Sequence, residues 1–229
     1  MDDILCGHDP LVEKRLRSIT ASKNNPFTKN LFVVSPAFYL PSSIIFNALY
    51  WEEDKGAYKD IFVEISRRQT GLPLVKDAFC RVNGIKGMPS LNFLMTANNI
   101  VFGLAYTFPE GALPYELFFY YHKDKRVVFL EALKEMIISV HGRNFLLPTN
   151  WRSENGLLYS GRNGSPIFVT YNGVRPYDNK DGLLLGFLQD WRALKFMIGQ
   201  LEKSCEQCEL DDLLWLKGEV DSIIGRLKK

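Results

Sequence analysis

The apolar spacing near the C-terminus constrains this chain more than any other feature. Leu184, Phe187, Trp191, Leu194, Ile198 and Leu201 recur at alternating intervals of three and four residues. Leu213, Leu216, Val220, Ile223 and Leu227 repeat the pattern. Such spacing lays one apolar stripe along each of two helices. The break from Ser204 to Cys208 joins them, which predicts an antiparallel helical hairpin with a seam like that of a coiled coil. Apolar side chains so close to the last residue need a covering surface, in this chain or in another.

A β-rich stretch should precede the hairpin, over residues 111–180. Leu117–Tyr121 and Val127–Leu130 flank the polar run His122-Lys123-Asp124-Lys125, which fits two strands and a turn. A helix follows through Ala132, Met136 and Ile137, with Gly142 just past its end. Three strands are then expected, at Leu157–Ser160, Ile167–Tyr171 and Val174–Tyr177. Gly161–Gly164 forms the first turn and Asn172-Gly173 the second, because both of those residues accept φ > 0. Pairing across Asn172-Gly173 would put Ile167, Val169, Tyr171, Val174 and Pro176 on an inward face. Phe168, Thr170, Arg175 and Tyr177 would share the other, towards solvent.

The N-terminal region, residues 1–110, mixes elements. Asp9-Pro10 opens a helix carrying Leu11, Arg15 and Ile19. Leu31–Val34 and Ile100–Tyr106 are apolar runs expected to be buried strands. Pro41-Ser42-Ser43 resembles a helix entry ahead of Ile44–Trp51, with a serine as N-cap. Ala57–Arg68 fits either an amphipathic helix or a strand from Asp60 to Ile65. Asn83-Gly84 and Lys86-Gly87 read as turns. The apolar content of 46% supports a sizeable core. The expected fold is one α+β domain over residues 1–229. It has mixed helices and strands, a central antiparallel β-meander and a C-terminal antiparallel helical hairpin.

Formal net charge is +2, a balance that neither announces nor excludes a nucleic-acid partner. Met1-Asp2-Asp3 is acidic where a secretory signal is basic, and no long apolar run suggests a membrane span. These features point to a cytoplasmic, intracellular protein whose four cysteines are thiols.

Candidate chemistry is sparse. Cys205-Glu206-Gln207-Cys208 has C-x-x-C spacing, and Cys6 with His8 is the best second pair for a zinc ion. The C-x-x-C falls between two helices rather than after a strand, and C-x-His is short for zinc, so incidental thiols are expected instead. Cys80, His122 and His141 stand alone. There is no Gly-x-Ser-x-Gly elbow, no phosphate-binding glycine loop and no dinucleotide fingerprint. Asp60 and Glu64 lie where a nuclease core could place acids, but Ser66 stands where its lysine should be. No cofactor is expected.

Two surface readings remain. Arg152, Arg162 and Arg175, with Phe168 and Tyr177, could form a basic and aromatic β surface for nucleic acid. Trp191 and Trp215 on the terminal hairpin are the ring types that anchor protein interfaces. The leading expectation is a non-enzymatic interaction protein, an adaptor, regulator or inhibitor that binds another protein or itself. The alternatives are a nucleic-acid binder, and an enzyme whose site assembles only in space.

Overall fold

The structure, a computed structural model, describes residues 9–21, 29–98, 100–107, 112–147, 158–171, 174–176, 183–205 and 207–228. It is α+β and divides into two compact units. Unit 1 comprises Met1–Lys76 and Pro89–Glu110; unit 2 comprises Asp77–Met88 and Gly111–Lys229.

Unit 1 is a five-stranded antiparallel sheet with a helix on one face. The strands are β1 (Leu31–Tyr39), β2 (Ser43–Glu52), β3 (Ala57–Ser66), β4 (Ser90–Ala97) and β5 (Ile100–Thr107), in the order β1-β2-β3-β5-β4. Helix α1 (Pro10–Ala21) starts as Asp9-Pro10 predicts. The Asp9 carboxylate accepts from the N–H groups of Leu11 and Val12 at 3.1 and 3.3 Å. That is an N-cap satisfying donors that a helix end otherwise orphans. Val12, Leu16 and Ile19 of α1 pack on Ile44, Phe46, Ile61, Val63 and Ile65. Register slips interrupt β1 at Val33/Ser35 and at Pro36/Phe38, and β4 at Leu91/Phe93 and Met95/Thr96.

Ile44–Trp51 is therefore strand, not the helix that Pro41-Ser42-Ser43 suggested. Ser43–Phe46 are buried on both faces, so no alternation marks them as β. Ser43 pairs with Ser66 at the start of the β2–β3 ladder instead of capping a helix. The strand alternative for Ala57–Arg68 holds as β3.

Unit 2 is built on helices. Helix α2 (Pro73–Val82) runs across the boundary between the units. After the short β6 (Leu113–Pro114) come α3 (Tyr115–Tyr121), a 3-10 turn at Lys123–Lys125 and α4 (Arg126–His141). The two strands expected at Leu117–Tyr121 and Val127–Leu130 are thus helical. Phe118 and Phe119 turn inward, while Leu117, Tyr120 and Tyr121 are exposed. Phe129, Leu130, Leu133, Met136, Ile137 and Val140 bury a continuous stripe at helical spacing. Gly142 ends α4 in right-handed geometry, and Asn144 is the residue with positive φ.

The meander is also rearranged. Strands β8 (Leu158–Ser160) and β9 (Pro166–Phe168) pair as expected and join β6 in a three-stranded sheet. Strand β10 (Arg175–Pro176) leaves β9 and pairs with β7 (Phe145–Leu146). Residues 172 and 173 lie outside the described residues; across them the Val174 N–H donates to the Tyr171 carbonyl at 3.0 Å, but among the described residues no β9–β10 ladder continues from that bond. Phe168 and Thr170 are both fully buried, contrary to a solvent-facing side. The Phe168 N–H donates to the Gly87 carbonyl at 2.8 Å, which replaces the lost ladder. Gly87 has φ +92°, and a Cβ there would lie 2.4 Å from the Pro166 carbonyl oxygen.

Helices α5 (Leu183–Glu202) and α6 (Gln207–Leu227) form the predicted hairpin. Lys217 pairs with Glu202 at 2.7 Å, and Lys195 with Asp221. Stepping back along α5 matches stepping forward along α6, so the two are antiparallel. Trp191, Leu194, Ile198 and Leu201 face Leu213, Leu216 and Val220 in a buried seam that α4 also contacts. No helix among the described residues is long and apolar enough to cross a membrane.

Candidate interaction surface

The residues singled out from sequence do not gather into one site. Arg152, Tyr177, Cys6 and His8 lie outside the described residues. Arg162 is exposed in the β8–β9 turn and Arg175 is exposed on β10. Phe168, which would have to stack on bases, is fully buried with Tyr171. Burial also raises the Tyr171 hydroxyl well above its ordinary pKa. Cys205 is half-buried and its thiol faces the Glu202 carbonyl at 3.7 Å; Cys208 sits in the first turn of α6. Among the described residues, no three His, Cys, Asp or Glu side chains gather closely enough to hold a metal ion.

The two tryptophans separate. Trp191 is 3% exposed and packs against the His141 ring at 5.9 Å, inside unit 2. Trp215 is 56% exposed, with the Lys134 ammonium 5.4 Å from its ring centroid. Lys134 is held there by Glu219 at 2.6 Å. Only Trp215 of this pair can meet a partner without unpacking the core.

His141 and Asp190 form a buried pair at 2.9 Å. Asp190 also accepts from the Leu147 N–H at 3.1 Å. The histidine ring stacks on Phe187 at 4.1 Å. The pair joins the last residue of α4 to the middle of α5 and fixes the chain leaving β7. Beside the Asp190 carboxylate, the His141 ring meets the rings of Phe187 and Trp191, which is the geometry of a tie between elements.

The feature that sequence reasoning missed lies on the unit 1 sheet. Tyr58 stands opposite Trp51 in the β2–β3 register, with ring centroids 4.9 Å apart edge-on. Its ring also reaches over β2 to Phe32 on β1, at 5.7 Å. Each contact is the edge-to-face arrangement that aromatic quadrupoles favour. The three rings lock one another, yet Phe32 is 44% and Tyr58 56% exposed, with Val34 exposed beside them. A cleft of about 380 Å³ adjoins this ledge, lined by Lys29, Asn30 and Tyr50, with Trp51 and the acids Glu52, Glu53 and Asp54.

The charged rim is largely self-neutralised. Glu53 accepts from Lys29 at 2.8 Å and from Asn30 at 3.2 Å, and Glu52 pairs with Lys55 at 2.8 Å. These partners hold both carboxyls below their usual range and raise Lys29 and Lys55. A signal was present in the sequence. Trp51 and Tyr58 flank the polar run Glu52–Gly56, the pattern of two ring-bearing strands around a turn. Reading 44–51 as helix concealed it.

The sequence matches no family model and no curated relative.

Proposed function

We propose that this chain acts by binding another protein, as an adaptor, regulator or inhibitor, and that the Phe32–Trp51–Tyr58 ledge is its docking surface. The observation that supports this reading is the combination of exposure and order in those rings. Large aromatic groups held rigid before contact lose little freedom on binding, and they dominate measured interface energies. The paired charges around them resemble the polar rim that encloses an apolar interface centre. A cleft beside the rings offers a place for one protruding side chain of the partner. Trp215 is a smaller second anchor of the same type.

The test is site-specific photocrosslinking in cells that make the protein. A photoreactive phenylalanine replaces Tyr58 in one version and the still more exposed Tyr120 of α3 in another. A discrete adduct from position 58, lost on adding Phe32→Ser and absent from position 120, supports the reading. The same adducts from both positions, or none from position 58, would refute it.

A further inference from the structure

Helix α1 and the β4–β5 hairpin of unit 1 enclose a second cleft, of about 360 Å³. That is at the lower end of small-ligand sites. Its charge is one-sided. Lys14 and Arg15 line it, and among the described residues no carboxylate does. Lys14 makes no ion pair with any described residue, and the neighbouring Glu13 is occupied by Arg17 at 2.5 Å. Burial lowers the Arg15 pKa and Asp9 opposes this through space only in part; the hydrogen bonds of Asp9 itself go to Arg67 and the α1 backbone.

Arg15 is fixed in place. It donates to the Ser66 carbonyl at 2.6 Å and the Gln69 carbonyl at 3.4 Å, and lies 5.8 Å from the Phe102 ring centroid. Those acceptors are neutral, so the guanidinium keeps its charge and further N–H donors for another group. The opposite wall is apolar. Ile100 is held against Gly71, where a Cβ would lie 2.4 Å from Ile100 Cγ2. Gly71 has φ +72°, so the close approach is built into the backbone.

We propose that this cleft binds a small amphipathic carboxylate. Its head lies between Lys14 and Arg15, and its apolar tail lies along Ile100 and Phe102. Preset cations on one wall and preset apolar groups on the other supply the two halves of that recognition. The carboxylate replaces water on Arg15 donors that the protein itself leaves available. This site is independent of the aromatic ledge and does not rest on it.

The experiment is an NMR titration of the full chain with three probes. Octanoate carries both features, octylammonium has the same tail with the opposite charge, and inorganic phosphate has charge without a tail. Octanoate should shift the Arg15 Nε–H and the Ile100 methyl signals saturably, with a dissociation constant of roughly a millimolar. Octylammonium should leave both signals in place, and phosphate should bind at least several-fold more weakly. Lys14→Glu should weaken octanoate about fivefold at low salt, and Ser18→Trp should block the cleft. Both positions are exposed, and far-UV circular dichroism checks that the variants fold. Equal binding of octanoate and octylammonium would overturn the proposal, as would phosphate matching octanoate. So would unchanged affinity in both variants, or no shift at Arg15 and Ile100.

Discussion

Replacing Tyr106 by Phe tests the buried polar centre of unit 1. Glu64 lies in the middle of β3 and is fully buried. It accepts from the Tyr106 hydroxyl at 2.6 Å and from the Ser43 hydroxyl at 2.5 Å. A carboxyl in such a place is tolerated only because donors meet it. Tyr106→Phe keeps the ring, which is itself 1% exposed, and deletes only the O–H. Removing one partner of a buried polar group costs about 1–3 kcal/mol, so the variant should lose about 2 kcal/mol. With a urea slope of roughly 2 kcal/mol/M, the midpoint should fall by about 1 M. Glu64→Leu should cost more, since it leaves two buried hydroxyls without this acceptor. In the Tyr106→Phe background the same change should cost about 2 kcal/mol less, because one of those hydroxyls is already gone. Urea titrations by circular dichroism measure the four corners of this cycle. Hydrogen exchange of β2, β3 and β5 shows whether the loss lies in the sheet. Additivity within about 0.5 kcal/mol would refute the claim that the two groups act as one unit.

Other expected outcomes concern single positions. Burial works against the Asp9 charge, but hydrogen bonds from Arg67 and the Val12 and Leu11 amides outweigh it and hold its pKa below the usual value. A lowered folded pKa gives stability that is present above the unfolded value near ~4 and lost as pH falls through the folded one. Asp9→Ala should therefore cost about 1 kcal/mol at neutral pH, and pH-dependent melts of variant and wild type should converge in acid. Trp191→Ala should cost about 3–5 kcal/mol by emptying a packed site, whereas Trp215→Ala should cost under ~1 kcal/mol; chemical denaturation separates them. Gly87→Ala should destabilise by more than ~1 kcal/mol, because it combines positive φ with a collision at Pro166. A melting temperature equal to wild type would show that this backbone relaxes freely.

The parts of the fold that were legible in sequence are those where one physical signal acts alone. The α5–α6 hairpin shows a helical period over many turns, and tertiary packing has no competing pattern to select. Leu31–Val34 and Ile100–Tyr106 were legible as strands from their short apolar runs, but not as buried ones throughout, since Phe32, Val34 and Ile100 are exposed. The errors fall where two signals conflict. Ser42-Ser43 offered a cap, and Ile44-Ile45-Phe46 was apolar at every position, so burial on both faces erased the two-residue period of β2. Phe118-Phe119-Tyr120-Tyr121 has strand propensity, but packing with Phe129 and Tyr115 selects a helix with two rings in and two out. Asn172-Gly173 marks a sharp reversal, but a turn signal does not state which strand lies next to which. The aromatic ledge depended on a register across three strands. No spacing within a single segment encodes that.

The register slips in β1 and β4 bear on how exposed rings are tolerated at all. These strands form the two margins of the unit 1 sheet. A flat margin beside apolar side chains is a template on which another chain can extend the ladder. The slips at Val33/Ser35, Pro36/Phe38 and Leu91/Phe93 leave a residue of the margin strand out of step and twist it, the slip at Met95/Thr96 leaves out Phe102 of β5, and Pro36 removes one donor from β1 outright. A neighbouring molecule can therefore touch Phe32 and Tyr58 without continuing the sheet. Interrupted margins of this kind work against edge-to-edge pairing with a second chain, so the exposed rings lie beside a sheet that is poorly shaped to be extended.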